Sequence, residues 1–184
     1  MKKIFKDMED YIRELTAEMS VESVLDVGTG NKGVVAQSYW ENEKHIRKGY
    51  ACDIWVIKPL PPIWTPLKMN ALNLLDVLKP KSVDVVQACG FLEHLKKEEG
   101  LRFIRIAETL ARKFVFFTAA AYCHGPTRDY KVKIDGNPYH YYWSAWDWME
   151  FQDLGYETNW YDAHVKHITF QGEVIAWKYL QKNT

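Results

Sequence analysis

A glycine-rich turn between an apolar strand and a helix constrains this chain more than any other feature. The predicted strand ends at Val27, and the turn carries Gly28 and Gly30. An apolar helical pattern follows at once, over residues 31–40. Glycine has no Cβ, so the backbone of such a turn can adopt positive φ and approach a ligand closely. Because the helix directs free N–H groups to the same place, the sequence predicts an α/β fold with a pocket for a nucleoside-bearing ligand.

Two classes of cofactor fit this turn. The dinucleotide fingerprint G-x-G-x-x-G is satisfied by Gly28, Gly30 and Gly33. An acidic residue, Asp53, follows twenty residues later, which is typical of a NAD-type oxidoreductase. Asp26, however, stands two positions before Gly28, inside the predicted strand, where dinucleotide-binding proteins usually keep an apolar residue. A nearby carboxylate suits a cationic ligand better than a pyrophosphate, so the D-x-G-x-G pattern favours a different cofactor.

Two later stretches contain further landmarks. Residues 82–88 form the predicted fourth strand, and the chain continues through residues 89–92 to Glu93-His94-Leu95. The predicted third strand, residues 67–72, contains Asn70-Ala71. Together with the D-x-G-x-G turn, these motifs resemble those of the class I S-adenosylmethionine-dependent methyltransferases. The resemblance extends over roughly residues 20–160.

The resemblance implies a fold and a function. The fold is a three-layer, Rossmann-like α/β architecture whose seven-stranded sheet is mostly parallel, with the last strand antiparallel. The cofactor is S-adenosylmethionine, and the reaction is methyl transfer to an unidentified small-molecule acceptor. Two alternatives stay open, namely a NAD-type oxidoreductase and a non-catalytic protein that keeps the fold in order to bind a cofactor or a partner.

The resemblance also assigns cofactor contacts to the carboxyl ends of the first four strands. The glycine turn is expected to hold the methionine end, the acid after the second strand the ribose hydroxyls, and the Asn-Ala pair the adenine. An aspartate at a loop start can instead be a cap, and an asparagine a turn residue. The predicted cofactor-binding residues are Asp26, Gly28, Gly30, Asp53, Ile54, Asn70, Ala71 and Gln87.

The acceptor side is predicted in the loop after the fifth strand. Residues 120–143 form a long connection, which is usually either a functional lid or a disordered segment. Its aromatic content argues against disorder and favours a lid, and a loop that only packs over the sheet end is the alternative. His124 and His140 are the candidate catalytic bases. Glu93 and His94 are interpreted as structural residues at a helix N-terminus.

Composition restricts the remaining functions. The 184 residues are predicted to form a single domain, and the formal net charge of zero argues against binding nucleic acid by bulk charge. No apolar run approaches the ~20 residues of a membrane span. Three cysteines without C-x-x-C spacing, Cys52, Cys89 and Cys123, predict reduced thiols in a cytoplasmic protein. No ligand spacing supports a metal site.

Local patterns give further predictions. In the N-terminal region, 1–20, residues 2–19 show helical spacing and are predicted to cover one side of the domain. Four prolines between residues 59 and 66 exclude a regular helix there. Ser144 is predicted to cap a helix that ends at Gly155.

Overall fold

Seven strands form one mixed sheet. The computed structural model describes residues 8–29, 40, 43, 45–55, 59–121, 138–139, 143–161 and 173–181. The strands are β1 (Ser23–Val27), β2 (Lys48–Asp53), β3 (Trp64–Lys68), β4 (Val83–Cys89), β5 (Ala111–Ala120), β6 (Glu157–Tyr161) and β7 (Glu173–Tyr179). The α-helices are α1 (Met8–Thr16), α2 (Lys97–Leu110) and α3 (Trp148–Asp153), and the 3-10 helices are η1 (Ala71–Asp76) and η2 (Leu92–His94).

The strand order changes direction between β1 and β4, which is where open α/β sheets bind ligands. The order is β3-β2-β1-β4-β5-β7-β6. Neighbours from β3 to β5 are parallel, whereas β7 runs antiparallel to both β5 and β6. This arrangement confirms the predicted Rossmann-like fold with a mostly parallel sheet. The next strand in the chain lies on one side of β1 and β4 lies on the other, and open α/β sheets bind ligands beyond the carboxyl ends of their strands at such a switch in strand order.

Apolar clusters cover both faces of the sheet. On one face Phe103 of α2 packs in a cluster that also contains Trp146. On the other face Tyr11 and Ile12 of α1 pack together with Trp40. Alternate residues of β5 divide between the two clusters, because successive side chains of a strand point to opposite faces. The predicted helix 31–40 lies outside the described residues apart from Trp40, which is helical.

The third strand lies earlier in the chain than predicted. The prediction of residues 67–72 is wrong, because β3 covers Trp64–Lys68 and the chain then enters η1. Pro66 is tolerated because β3 is an edge strand. The N–H of Met69 donates to β2, and the carbonyl of Ile63 accepts from it. The backbone N–H and C=O groups of the odd-numbered residues therefore point to β2, whereas the nitrogen of Pro66 points away from it. The described residues of the proline-rich stretch before β3 contain no helix, as predicted.

The helix after the long loop is capped by a different residue from the one predicted. The prediction for Ser144 is wrong, because the side chain of Asp147 caps α3 and Glu150 closes a capping box by accepting from the Asp147 N–H at 2.8 Å. Ser144 donates instead to the Leu92 carbonyl at 3.2 Å and accepts from Trp146 Nε1 at 3.0 Å. It therefore ties the end of the long loop to η2.

Two further boundaries differ from the prediction. Glu93-His94-Leu95 does not open the long helix, because residues 92–94 form η2 and α2 begins at Lys97. The first helix ends at Thr16 rather than at residue 19. No helix within the described ranges is long and apolar enough to cross a membrane.

Asp84 binds three strands together at the amino edge of the sheet. Its carboxylate accepts from the N–H groups of Glu22 and Ser23 at 2.9 and 3.1 Å, and from Arg112 Nε at 3.0 Å. Burial opposes ionisation, but the hydrogen bonds from Arg112 and the Glu22 N–H, with the charge of Lys113, lower the pKa of Asp84 to about 2. The acid that begins the fourth-strand motif therefore stabilises the fold, at the edge opposite the carboxyl ends of the parallel strands.

Candidate functional site

The turn after β1 requires glycine at position 28 for two reasons. Gly28 has a φ of 77°, a left-handed conformation that is unfavourable for other residues. A Cβ at this position would also lie 2.8 Å from Cδ2 of Phe91. The N–H of Gly28 donates to the Cys52 carbonyl at 2.9 Å, which fixes the turn against β2. Gly30, the second predicted glycine of the site, lies outside the described residues.

Thr29 adds a buried hydroxyl to this turn. The residue is 1% exposed, and its Oγ1 has no hydrogen-bond partner among the described residues. A buried hydroxyl without a partner is destabilising. A polar group of a ligand at the turn would satisfy it.

A chain of three buried side chains links β1 to β4 and to Trp40, which follows the glycine turn in the chain. Asp26 is 1% exposed and lies opposite Gln87 in the register of β1 and β4. Its Oδ1 accepts from Gln87 Nε2 at 2.9 Å, and Gln87 Oε1 accepts from Trp40 Nε1 at 2.6 Å. Because the indole can only donate, it fixes the orientation of the Gln87 amide, which must then donate to Asp26. Sequence reasoning missed Trp40, since its helical pattern indicates only a buried apolar face.

Asp53 ends β2 beside this turn. It is half-buried, and its Oδ1 accepts from the Trp55 N–H at 2.7 Å. This local bond orients the carboxylate at the loop start, so the capping alternative describes part of its role. Ile54 follows with 38% of its surface exposed, at the carboxyl edge of the sheet.

Asn70 and Ala71 lie where β3 gives way to η1. The Asn70 Oδ1 accepts from the Leu72 N–H at 2.9 Å and so caps η1. The Met69 N–H donates to the Asp53 carbonyl at 3.0 Å, which joins this turn to the end of β2. Ala71 is buried against the core. The predicted residues of β1, β2, β3 and β4 thus meet at one edge of the sheet.

Comparisons with known proteins give matches at the level of structure. No family model and no curated protein matches the sequence. The chain superposes on 1,6-didemethyltoxoflavin-N1-methyltransferase from Burkholderia thailandensis, whose structure contains S-adenosylhomocysteine, with a TM-score of 0.64 and 14% identity over 93% of this chain and 75% of that one. The match to the small RNA methyltransferase HEN1 has a TM-score of 0.62 and 12% identity, and it covers 100% of this chain but only 27% of that one.

A third match is magnesium protoporphyrin IX methyltransferase from Synechocystis PCC 6803, with a TM-score of 0.55 and 14% identity over 93% of this chain and 81% of that one. The fold is that of the class I S-adenosylmethionine-dependent methyltransferases. The structural similarity shows the methyltransferase fold. Because the sequence identities are low, the reaction and its acceptor have to be proposed from the site.

The methyltransferase fold also brings together residues that sequence reasoning did not assign to the site. Glu93 is 4% exposed, and its Oε2 has no hydrogen-bond partner in the described part of the chain. Burial raises the pKa of Glu93 to about 8, and Glu173 adds to the rise against the hydrogen bonds from the backbone N–H groups of Glu93 and Ala120. The sequence signal was present in the Glu-His-Leu motif, but the pattern does not reveal burial.

The predicted catalytic histidines, His124 and His140, both lie outside the described residues. The same is true of most of the predicted lid, residues 120–143. Tyr139 is described, and its ring centroid lies 6.2 Å from that of Trp55 in the loop after β2. A residue of the predicted lid therefore reaches the side of the methyltransferase fold on which Asp53 lies.

Proposed function

We propose that the chain binds S-adenosylmethionine and transfers its methyl group to a small-molecule acceptor. The observation that carries the proposal is the buried Asp26 carboxylate, held by Gln87 two residues before the glycine turn. Burying a carboxylate is costly unless a positive charge or hydrogen-bond donors compensate it. S-adenosylmethionine brings both an ammonium and a sulfonium, so it suits this position.

The residues present fit this cofactor. Gly28 leaves room for close approach, and the buried Thr29 hydroxyl needs a polar partner. Asp26 provides an acceptor for an ammonium, and Asp53 provides acceptors for the two ribose hydroxyls. Gly30, Ile54, Asn70, Ala71 and Gln87 complete the proposed binding set. The bound cofactor supplies a methyl group that is already activated, and the chain has to bind, orient and exclude water.

The strand order argues against the NAD-type alternative. Dinucleotide-binding folds usually have the order 3-2-1-4-5-6. Here an antiparallel β7 lies between β5 and β6. The buried Asp26 would also stand close to the pyrophosphate of a dinucleotide, where like charges repel.

Calorimetry tests the cofactor directly. We expect S-adenosylmethionine and S-adenosylhomocysteine to bind to the purified protein and NAD not to bind. Asp26→Asn should weaken both S-adenosylmethionine and S-adenosylhomocysteine, because both carry the ammonium, and it should weaken S-adenosylmethionine more, because that ligand also carries the sulfonium charge. Binding of NAD alone would refute the proposal. Binding of the cofactor without methyl transfer to any acceptor would favour the non-catalytic alternative.

The acceptor side is proposed to lie under residues 120–143. The Trp55–Tyr139 contact and the bond from the Trp143 N–H to the Glu93 carbonyl, at 2.7 Å, support a lid that crosses the carboxyl edge. His124 and His140 remain the proposed catalytic bases of this lid.

A further inference from the structure

Glu93 is a buried carboxylate whose hydrogen bonding is incomplete. It lies in η2, just beyond the carboxyl end of β4, and it is 4% exposed. Its Oε2 has no hydrogen-bond partner among the residues that the structure describes. Buried carboxylates are normally hydrogen-bonded throughout or paired with a cation, because desolvation of the charge is costly. A ligand that donates a hydrogen bond to this oxygen would complete the hydrogen bonding of the ionised carboxylate.

Backbone contacts hold Glu93 at the edge where an acceptor must lie. Its carbonyl oxygen accepts from the N–H groups of Trp143 and Ser144 at 2.7 and 3.3 Å. Phe91, two residues earlier, packs against Gly28 of the proposed cofactor turn. Glu93 is thereby fixed between that turn and the end of the proposed lid. Ligands of open α/β sheets bind beyond these carboxyl ends.

A second carboxylate approaches the same region from β7. Glu173 lies opposite Ala120 in the register of β5 and β7, and it is hydrogen-bonded to the Thr118 side chain. Thr118 Oγ1 also accepts from the Gly90 N–H at 3.0 Å. Thr118 thus joins the start of β7 to the turn that leads into η2. Glu93 and Glu173 therefore place two acidic groups in one region, and the presence of Glu173 is one cause of the raised pKa of Glu93.

No lysine or arginine in the described part of the chain forms an ion pair with either carboxylate. Lys97 binds Glu150, and Lys178 binds Glu108. The basic residues of β5 bind Asp84 at the opposite edge of the sheet. A region of this kind repels anionic acceptors and attracts cationic ones.

We propose that Glu93 and Glu173 bind the nitrogen of an amine that serves as methyl acceptor, and that Glu93 takes its proton. This inference rests on the proposed function and adds the acceptor class to it. For an amine acceptor it assigns to Glu93 the proton removal for which His124 and His140 are the candidates in the proposed function. A protonated amine supplies both the donor that Oε2 lacks and the charge that compensates the pair. A hydroxyl acceptor supplies the donor without the charge, and a fully ionised carboxylate or phosphate acceptor supplies neither.

The transfer step balances with these groups. The acceptor ammonium gives one proton to the Glu93 carboxylate, which frees the nitrogen lone pair. The nitrogen then forms a bond to the methyl carbon as the carbon–sulfur bond breaks, and the electron pair of the broken bond stays on sulfur. The product leaves as a methylated ammonium, and Glu93 returns its proton to water. Burial raises the pKa of Glu93 to about 8, and a base with a pKa near the working pH is efficient.

Three probes with the same ring and different charge test the acceptor class. Benzylamine, benzyl alcohol and benzoate are titrated by calorimetry into the protein, with and without saturating S-adenosylhomocysteine. Benzylamine should bind at least about tenfold more tightly than the other two, because it alone forms charge-assisted hydrogen bonds. Its binding at pH 7 should release up to about one proton, since the ammonium favours ionised Glu93. Among the described residues, the other titratable groups at this edge are Asp26 on β1, Cys52 and Asp53 on β2, Cys89 on β4, His94 in η2 and Glu173 on β7.

Matched variants assign the effect to the two carboxylates. In Glu93→Gln the affinity for benzylamine should fall to within about threefold of the affinities for the other two probes, and the proton release should disappear. Glu173→Gln should weaken benzylamine but keep the proton release, and Glu98→Gln, an exposed acid on α2, should change neither. S-adenosylhomocysteine should bind all four proteins. Failure of the unmodified protein to bind S-adenosylhomocysteine would refute the proposed function. An unchanged preference for benzylamine in Glu93→Gln would refute only the amine site.

Discussion

At the scale of single residues, the pKa values of two buried carboxyl groups of this chain are shifted in opposite directions. Asp84 is surrounded by donors and cations, and its pKa lies at about 2. Glu93 has backbone hydrogen bonds but no cationic partner among the described residues, and its pKa lies at about 8. The first group stabilises the folded state in its charged form, and the second destabilises it in that form. The difference separates a structural acid from a candidate functional one more clearly than their sequence motifs do.

Asp84→Asn should remove stability that depends on pH. The folded pKa lies below the ordinary value of 3.8, so the contribution is present above that pH and is lost as pH falls towards about 2. Because charge-assisted bonds disappear, we expect a loss of about 2 kcal/mol in the free energy of unfolding at pH 7. Urea titrations at pH 7 and pH 3 measure both effects. A loss no larger than that of the exposed control Asp76→Asn would contradict the account.

Asp53→Ala should weaken cofactor binding while leaving the fold intact. Two ribose hydrogen bonds to a charged acceptor would be lost, so we expect at least about a tenfold rise in Kd for S-adenosylhomocysteine. Calorimetry gives the Kd, and circular dichroism checks the fold. Asp76→Ala, in the neighbouring η1, serves as the matched control. Equal affinities for the two variants would show that the ribose is bound by other residues.

At the scale of elements, the sequence predicts what depends on local pattern. β4 and β5 are rich in valine and phenylalanine, which favour strands, and the glycine turn combines composition with spacing, so these elements were predictable. β3 was misplaced because Pro66 reads as a breaker until the strand is known to be an edge. Ser144 was wrongly assigned as a helix cap from its local pattern. Its actual contact, with Leu92, joins residues far apart in the chain and is not visible in that pattern. The burial of Glu93 depends on the same long-range packing.

Gly28→Ala should damage the turn through two separable effects. The φ of 77° costs an alanine about 1–2 kcal/mol, and the contact with Phe91 adds a steric term. Gly28→Ala combined with Phe91→Leu should recover the steric part and keep the backbone part. Chemical denaturation of both variants separates the two terms. Equal stability of the single and double variants would show that Phe91 does not restrict the turn.

Replacing His124 and His140 together with alanine tests the proposed lid. Turnover of an identified acceptor should be lost, while cofactor affinity stays within about threefold, because the cofactor contacts lie on other elements. The preference for benzylamine over benzyl alcohol should also survive, since it depends on Glu93. Retained turnover would make residues 120–143 a covering loop without a catalytic role.

At the scale of the whole molecule, a formal net charge of zero conceals a division of charge. Among the described residues, buried or half-buried carboxylates collect at the carboxyl edge of the sheet, namely Asp26, Asp53, Glu93 and Glu173. Arg112 and Lys113 bind Asp84 at the amino edge. Strand order and the expected position of the ligand follow from the βα pattern, but this division does not, because it depends on which side chains become buried.

The division gives a prediction for stability in the absence of ligands. The folded pKa of Glu93, at about 8, lies above its ordinary value of 4.5. The native state therefore keeps a proton that the unfolded state has lost, and stability should fall as pH rises from 4.5 to about 8. The slope due to this group reaches at most about 1.4 kcal/mol per pH unit. Glu93→Gln should flatten the profile measured by denaturation, and Glu98→Gln should not.

The outward nitrogen of Pro66 has a consequence for encounters between copies of the chain. A strand at the edge of a sheet presents unpaired donors and acceptors to any extended segment that approaches it. In β3 the middle residue of the strand offers no donor on that side, so an incoming strand cannot complete a hydrogen-bonded ladder. The proline that interrupts the sequence pattern thus protects an open margin of the sheet against aggregation.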